Sequence, residues 1–486
     1  MRLSELIDEG KKSLKQAWTD VEINGLSADS RAVRPGYLFA AIPGTRVDGR
    51  AYIDDALKAG ASAILAPPKT KLDTHNAHIP LITDANPRRA LALIAAKFFN
   101  QQPENIVAVT GTNGKTSVAH FVQQLWNGLG DKAASIGTLG MTGPGLPRGG
   151  SLTTPDPIAL HRVLADLHRD GFHCLAMEAS SHGLDQNRLD GVRLKAALFT
   201  NLTRDHLDYH QTFEAYKEAK LRLFSELLPK DGIAIWNADS PVAQDIKKRA
   251  KSRDLRSISY GLAAGDIHLE SKQLTHEGWS LKIRAFDAHY ETELPLPGEF
   301  QISNALAAAA LLHACGKPFG DLVALFPSLR GVPGRMQKAG TTPNGAAVYV
   351  DYAHTPDALE TVLRAIRPHI SNKLVVIFGC GGDRDRGKRP EMGTIACQHA
   401  DKIIITDDNP RSEDPAVIRT DILTACNSAE EIGDRRTAIE ATIKRLEPGD
   451  ALIVAGKGHE TGQIIGDTIY PFNDLDVARA ALGDIQ

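Results

Sequence analysis

Cysteine is scarce: five residues, at positions 174, 315, 380, 397 and 426, in a chain of 486. The count is odd and no CxxC pair occurs. Neither a disulfide framework nor a zinc site is therefore expected, and a reducing cytoplasm is the simple inference. Long apolar runs are missing too. The longest, near residues 305–314, is too short to cross a bilayer and reads as a buried helix. The opening stretch MRLSELIDEGKKSLKQAW carries charge throughout, lacks the apolar centre of a signal peptide, and predicts an amphipathic helix. Charge of one sign is not in excess. With 56 basic and 59 acidic residues the net charge is −3, which gives no support to a nucleic-acid surface, an anionic-membrane surface or membrane insertion. Internal repeats and low-complexity segments are also absent.

What is present is ordinary for a soluble globular protein, with 42% hydrophobic and 24% charged residues. The length predicts roughly three domains at about 150 residues each. The first, 1–98, holds strand-like YLFAAI and SAILAP around a helix-like YIDDALKAG, and NQQPEN follows as a linker. The second, 99–334, starts at IVAVT and alternates strands (CLAMEAS, AALFTNL, GIAIWNAD) with helices such as PIALHRVLADLHRDG. A Gly/Pro-rich boundary at RGVPGRM opens the third, 335–486, with strands AVYVDYA, KLVVIFGCGG, KIIITDD and DALIVAGKG. Alternation of this kind predicts an α/β fold with mostly parallel sheets covered on both faces. Strands that end in Gly or Asp look like ligand sites at the carboxyl ends of parallel strands.

The densest signal is VTGTNGKTSVAHFV, from Val109. The usual P-loop has four residues between its first Gly and its Gly-Lys pair; here that first position is Val109, and the pattern fails. The shorter GTNGKT still sits between a strand and a helix. Gly111 and Gly114 let Thr112 and Asn113 turn with their N–H groups inward, and the helix N-terminus adds positive potential. Lys115 supplies a charge for phosphate and Thr116 a hydroxyl for Mg²⁺. Nucleotide binding is expected, against a tight turn carrying a surface lysine.

Other candidates follow. Glu178 ends a strand and is either a Mg²⁺ ligand or a capping residue. Asp205, His206, Asp208 and His210 crowd together in TNLTRDHLDYH, as an ion site or a solvated turn. Lys220, on the helix FEAYKEAKLRLF, is by its letters one surface lysine among many. Thr153 and Thr154 precede a helix capped by Asp156 with Pro157 at its first turn, and serve either loop packing or substrate hydroxyls. Asn304, in an apolar helix, is either a network member or a base-edge reader.

Taken together, GTNGKT, MEASSHGLDQNR, TNLTRDHLDYH, SNALAA, GVPGRM, DYAHTPD, GCGGDRDRGKRP, TDDNPR and AGKGHE resemble the Mur ligases, in order and over all three blocks. ADSRAVRPGYLFAAIPGTRVDGR is similar to that family's UDP-binding domain. The resemblance implies a three-domain architecture: a UDP-sugar-binding domain, a central P-loop ATPase domain and a C-terminal Rossmann-like α/β domain. It implies a cytoplasmic monomer using ATP and Mg²⁺. ATP would phosphorylate the D-glutamate carboxyl of UDP-N-acetylmuramoyl-L-alanyl-D-glutamate, and an amine of meso-diaminopimelate would displace the phosphate. Glu178, His206 and Thr116 would hold magnesium, and Lys220 would be carbamylated and join them. Asn304, Arg335, Asp351 and His354 would meet the nucleotide beside the 111–116 loop. Ser30, Thr153, Thr154, Ser180, Gln186 and Arg188 would contact the UDP-sugar-peptide.

Diaminopimelate exceeds lysine by one carboxylate, and a guanidinium grips a carboxylate bidentately. Arg411, in Asp408-Asn409-Pro410-Arg411, is the expected selector, with Arg384 as a second contact and Gly456 and Glu460 at the ammonium end. Ser117 and Gln337 depart from frequent family residues without touching an assigned role. Two alternatives stand beside this reading: a lysine-adding or folylpolyglutamate-type ligase, and a nucleotide-switched binding protein or transport ATPase. A switch has no need of DHLDYH or an arginine-bearing amino-acid loop, and a folate enzyme should lack DNPR.

Overall fold

The computed structural model describes residues 1–7, 18–44, 47–146, 152–275 and 278–483. These form two compact units: residues 1–108, 131–197 and 219–232 in one, and 109–130, 198–218 and 233–486 in the other.

In the first unit, strands Gly25–Ser27, Tyr37–Ala40, Ala63–Ala66 and Leu81–Thr83 form a parallel sheet in chain order. Successive side chains point to opposite faces, so Leu38, Ala40 and Leu65 meet Leu91 and Ile94 of helix Pro87–Phe99. Phe39 and Ile64 pack on the other face with Ile53 and Ala56 of helix Ile53–Lys58. The remaining strands of this unit, Leu194–Phe199, Asn105–Thr110, Cys174–Glu178, Ala133–Gly137 and Gly140–Thr142, lie side by side in that order. Helix Pro157–Arg169 starts as expected: Asp156 accepts from the N–H groups of Ile158 and Ala159, and Pro157 occupies its first turn.

The second unit carries strands Ile233–Asn237, Arg256–Gly261 and Ile267–Leu274 in parallel, then Trp279–Ala285 and Ala288–Leu294 antiparallel. Its six-stranded sheet runs Gln337–Thr341, Ala347–Asp351, Ala451–Ala455, Leu374–Phe378, Lys402–Ile405, Glu430–Glu431, antiparallel only at the first pair. Its central strands Ala451–Ala455 and Leu374–Phe378 are buried throughout, between two apolar layers. All the third-block motifs lie just past the carboxyl ends of its parallel strands: DYAH after Asp351, GCGGDRDR after Phe378, TDDNPR after Ile405 and GKGHE after Ala455. Because the strand Ala451–Ala455 inserts between two earlier ones, loops far apart in sequence end on one edge.

Four expectations need correction. The amino-terminal helix covers only Leu3–Leu6, because Ile7 is extended; positions 8–17 lie outside the described residues. The antiparallel strands between 267 and 294 interrupt the expected strand–helix alternation. A disulfide joins Cys397 to Cys426, leaving Cys174, Cys315 and Cys380 as thiols. Packing of helix Lys388–His399 against helix Pro415–Leu423 draws that pair together, and no local cysteine spacing announces it. Lys220 is buried, at 1% exposure, where a surface lysine was expected. Among the described residues no helix is long and apolar enough to cross a membrane.

Candidate active site

The phosphate loop belongs to the second unit. Gly111 has φ +139° and a Cβ there would overlap Thr200 Oγ1, so only glycine fits. Gly114, at φ +85°, caps helix Lys115–Gly128, and a Cβ would come 2.7 Å from Asn304 Oδ1. Asn304 thus presses on the loop itself, and its Nδ2 donates to Gln301 Oε1 at 3.1 Å. The segment at 200–203 braces the loop from below. Thr112 N–H donates to Asn201 O and Asn113 N–H to Asn201 Oδ1, both at 2.9 Å, and Thr203 N–H reaches Thr112 Oγ1 at 3.0 Å. That bracing was not visible in the letters; an Asn after an apolar strand is too common a signal. Lys115 Nζ folds over the loop and donates to Gly111 O at 3.0 Å and Thr112 O at 2.7 Å.

The DYAH and GVPGRM segments close around the same loop. Arg335 donates from Nη2 to Thr116 Oγ1 at 3.4 Å and lies over the Tyr352 ring, 4.5 Å from its centroid. Asp351 is buried and accepts from the N–H groups of Met336 and Ala353. Burial pushes its carboxyl up, against the pull of the Arg335 charge and those two bonds. His354 Nδ1 meets Tyr352 O at 2.9 Å; burial and the Lys388 cation hold this imidazole below its usual range. Asp357, which sequence reading passed over, accepts from Asn113 Nδ2 at 2.7 Å and Thr203 Oγ1 at 3.3 Å, so the third block touches the phosphate loop directly.

Of the four groups in DHLDYH, Asp205 and His206 pair at 3.4 Å, while His210 is buried and Asp208 exposed. Burial raises the Asp205 carboxyl, but the charges of His206, His354 and Lys115 outweigh it and hold the group low. Among the described residues no three His, Cys, Asp or Glu side chains cluster as a metal cage, and within this stretch the structure brings only Asp205 and His206 together.

The amino-acid side also lies in the second unit. Arg411, half-buried at φ +53°, donates from Nη1 to Gly382 O at 2.7 Å. Burial and the neighbouring Arg384 guanidinium push its pKa down, so two like charges stand close together, which suits an anion between them. Arg384 itself is exposed and donates to Asp383 O. Asp408 is buried against Gly456, where a Cβ would lie 2.7 Å from its Oδ2. Asn409 Nδ2 donates to Glu460 Oε2 at 2.9 Å. His206, Met336, Asp383 and Arg411 all hold positive φ without being glycine, backbone strain of the kind that collects at working sites.

The first unit gathers another set. Glu178, 1% exposed, accepts from Thr138 N–H at 2.8 Å and Thr138 Oγ1 at 3.1 Å. Thr138 was missed because a lone Thr after a strand carries no signal. Thr154 Oγ1 donates to Glu178 O, Ser180 N–H donates to Thr154 Oγ1, and Arg188 bridges Thr154 O and Gln186 Oε1, both at 2.7 Å. Thr153 reaches Thr138 Oγ1 at 3.2 Å. TTP and EASSHGLDQNR therefore meet as one polar cluster. Ser30 lies in the turn Ser30–Ala32, and no hydrogen bond joins it to that cluster among the described residues.

Three family descriptions match in order: "Mur ligase family, catalytic domain" over residues 22–99, "Mur ligase middle domain" over 109–312, and "Mur ligase, glutamate ligase domain" over 334–458. A UDP-N-acetylmuramoyl-L-alanyl-D-glutamate–2,6-diaminopimelate ligase of Mesorhizobium japonicum is 52% identical over 468 residues, 96% of each chain. The chain belongs to the Mur ligase family. Another ligase of the same description, from Bradyrhizobium diazoefficiens, is 51% identical over 99% of both chains. A solved structure so described covers 100% of this Mur ligase at 34% identity, with a TM-score of 0.71. A folylpolyglutamate synthase of Mycobacterium tuberculosis, solved with ADP and AMPPCP, shares the fold alone, at 16% identity and a TM-score of 0.65.

Proposed function

We propose that this Mur ligase joins an amine of meso-diaminopimelate to the D-glutamate carboxyl of UDP-N-acetylmuramoyl-L-alanyl-D-glutamate, at the cost of one ATP, in peptidoglycan precursor synthesis. The observation that carries the reading is a half-buried guanidinium, Arg411, set in one loop cluster with the carboxylate of Glu460. An amino acid with an ammonium to place and a distant carboxylate to grip fits that pair. The relatives at 51–52% identity, named for diaminopimelate, support the same choice.

The chemistry follows from what a carboxylate cannot do. Oxide is a poor leaving group, so the carboxylate oxygen first attacks the γ-phosphorus of ATP, and ADP departs. The diaminopimelate amine then attacks the acyl carbon, and phosphate leaves with its pair of electrons as the amide forms. Two anions must meet in the first step, and Lys115 with the N-terminus of helix Lys115–Gly128 offsets their repulsion. Asn304, Arg335, Asp351 and His354 hold the nucleotide, and Thr153, Thr154, Ser180, Gln186, Arg188 and Ser30 hold the UDP-sugar-peptide. Asp408, Asn409, Pro410, Arg411, Arg384, Gly456 and Glu460 hold the amino acid. The functional domains are 1–98, 99–334 and 335–486. No step needs a second copy, and ATP use locates the reaction in the cytoplasm.

Magnesium fits the residues. Glu178 is a buried carboxylate whose hydrogen bonds come from the neutral donors of Thr138, which leaves its charge to be met by a cation. Glu178 and a carbamylated Lys220, with Thr116 and His206, are the proposed ligands. When bound, the ion neutralises charge on the phosphoryl group in transfer. Carbamylation turns the buried Lys220 ammonium into an anion able to face a cation. Protein exchanged into ¹³C-bicarbonate should show a carbamate carbonyl resonance that Lys220→Arg lacks; equal spectra would remove the modification.

The reading is tested by product mass. With ATP, Mg²⁺ and the UDP-linked dipeptide, meso-diaminopimelate should yield a heavier UDP-tripeptide and lysine far less. Release of ADP with no heavier product would refute it.

A further inference from the structure

One buried charge is left without a role. Lys457 lies between Gly456 and Gly458, and its side chain is fully enclosed, at 0% exposure. Those glycines, at φ +114° and +54°, turn the chain so that the lysine points inward rather than into solvent. Its Nζ donates to Asn409 Oδ1 and to Glu460 Oε2, both at 2.9 Å. Asn409 closes the triangle: its Nδ2 donates to the same Glu460 Oε2 at 2.9 Å, and its Oδ1 also accepts from Ile464 N–H at 2.9 Å. An Asn amide flips easily unless both its ends are committed, and here each end has a fixed partner. Both bonds to Glu460 fall on the same oxygen, Oε2.

We propose that Lys457 is a positioning residue for the incoming amino acid: it locks the Asn409 amide and the Glu460 carboxylate in one orientation, so that Glu460 receives the substrate ammonium. The inference rests on the ligase reading and adds the group that sets the ammonium end. Four other groups face Glu460. His459 comes from its own loop, Arg411 from the loop after Ile405, Tyr352 from the segment after Asp351, and Arg435 from helix Arg435–Lys444. Arg435 is already committed, bonding Asp474 through Nε and Nη2 and Ala455 O through Nη2. Lys457 is thus the cation bonded to Glu460 itself. Burial alone would raise the Glu460 carboxyl, and the Lys457 charge with the bonds from Asn409 and Lys457 reverses that, holding it ionised.

The test compares wild type, Lys457→Met, Glu460→Gln and the double variant in the full ligase assay. In Lys457→Met the KM for diaminopimelate should rise about tenfold, the lower end for a charged hydrogen bond, while the KM values for ATP and the UDP-dipeptide stay put. The sign of the pH effect is fixed. Without the lysine, Glu460 takes up its proton at higher pH, so the acid limb of kcat/KM for diaminopimelate moves upward in pH. The double variant should bind diaminopimelate no worse than Glu460→Gln alone, because the lysine acts through the glutamate. It also leaves no unpaired buried charge, so it carries the test if Lys457→Met does not fold. An unmoved acid limb, additive losses, or equal losses for all three substrates would overturn the proposal. If wild type itself makes no product from diaminopimelate, the ligase reading falls instead.

Discussion

Lys115→Met should lower turnover by about 10²–10³, the usual loss when one preorganised donor to a developing oxyanion is removed. The resting geometry sets the size of this loss. Lys115 Nζ already lies over the loop, bonded to Gly111 O and Thr112 O, so its charge sits where phosphate would enter without a search through rotamers. Thr200, Asn201 and Thr203 fix that loop from below, and Gly111 and Gly114 are the only residues that fit at its ends. The cation is therefore aimed before ATP arrives, which is the condition for electrostatic help in the transition state. Methionine keeps the length and loses the charge. ADP release in the presence of all three substrates measures the effect, with the KM for the UDP-dipeptide as the control for an intact fold. Turnover within tenfold of wild type would show that the helix N-terminus and the metal suffice and that Lys115 has a lesser part.

That loop was legible because its signals are local. An apolar strand, two glycines, a lysine and a helix lie within a short run of sequence. Capping by Asp156-Pro157 was legible for the same reason, and the helix starts there. The central strands of the six-stranded sheet, Leu374–Phe378 and Ala451–Ala455, read as apolar runs because they are buried on both faces. The strand Ile267–Leu274 did not: most of its residues are solvent-facing, and IHLESKQL has the composition of a loop. Lys220 read as a surface residue because its helix is polar on every side in the letters, and only tertiary neighbours decide which side is covered. Lys457, Thr138 and Asp357 were missed on similar grounds. Each works through a partner far away in sequence, at Asn409, Glu178 and Asn113, and only sheet topology brings those partners near. Cys397 and Cys426 belong to the same class.

Arg411→Ala should cut kcat/KM for meso-diaminopimelate by about 30- to 150-fold, the worth of a charge-assisted pair at roughly 2–3 kcal/mol. Lysine, which lacks the distal carboxylate, should lose far less, so the preference between the two amino acids collapses. The geometry explains why the arginine has this leverage. Its backbone is held at φ +53° between Asn409, whose side chain is committed to Glu460 and Lys457, and the hairpin strand Gly462–Ile465, whose Ile464 O accepts the Arg411 N–H at 3.1 Å. Nη1 is tied to Gly382 O, so the guanidinium is pinned at one corner. Burial and, after it, the Arg384 charge depress its pKa, and a bound carboxylate would relieve that repulsion. Relief of that kind is available only to a substrate with the second carboxylate, so part of the selectivity comes from removing an unfavourable contact rather than adding a favourable one. Arg411→Lys separates the two contributions. It keeps the charge and loses the planar fork, so recovery to within a few-fold of wild type would assign the selectivity to charge alone. A loss close to that of Arg411→Ala would assign it to the fork, and an unchanged preference in Arg411→Ala would move the selector elsewhere.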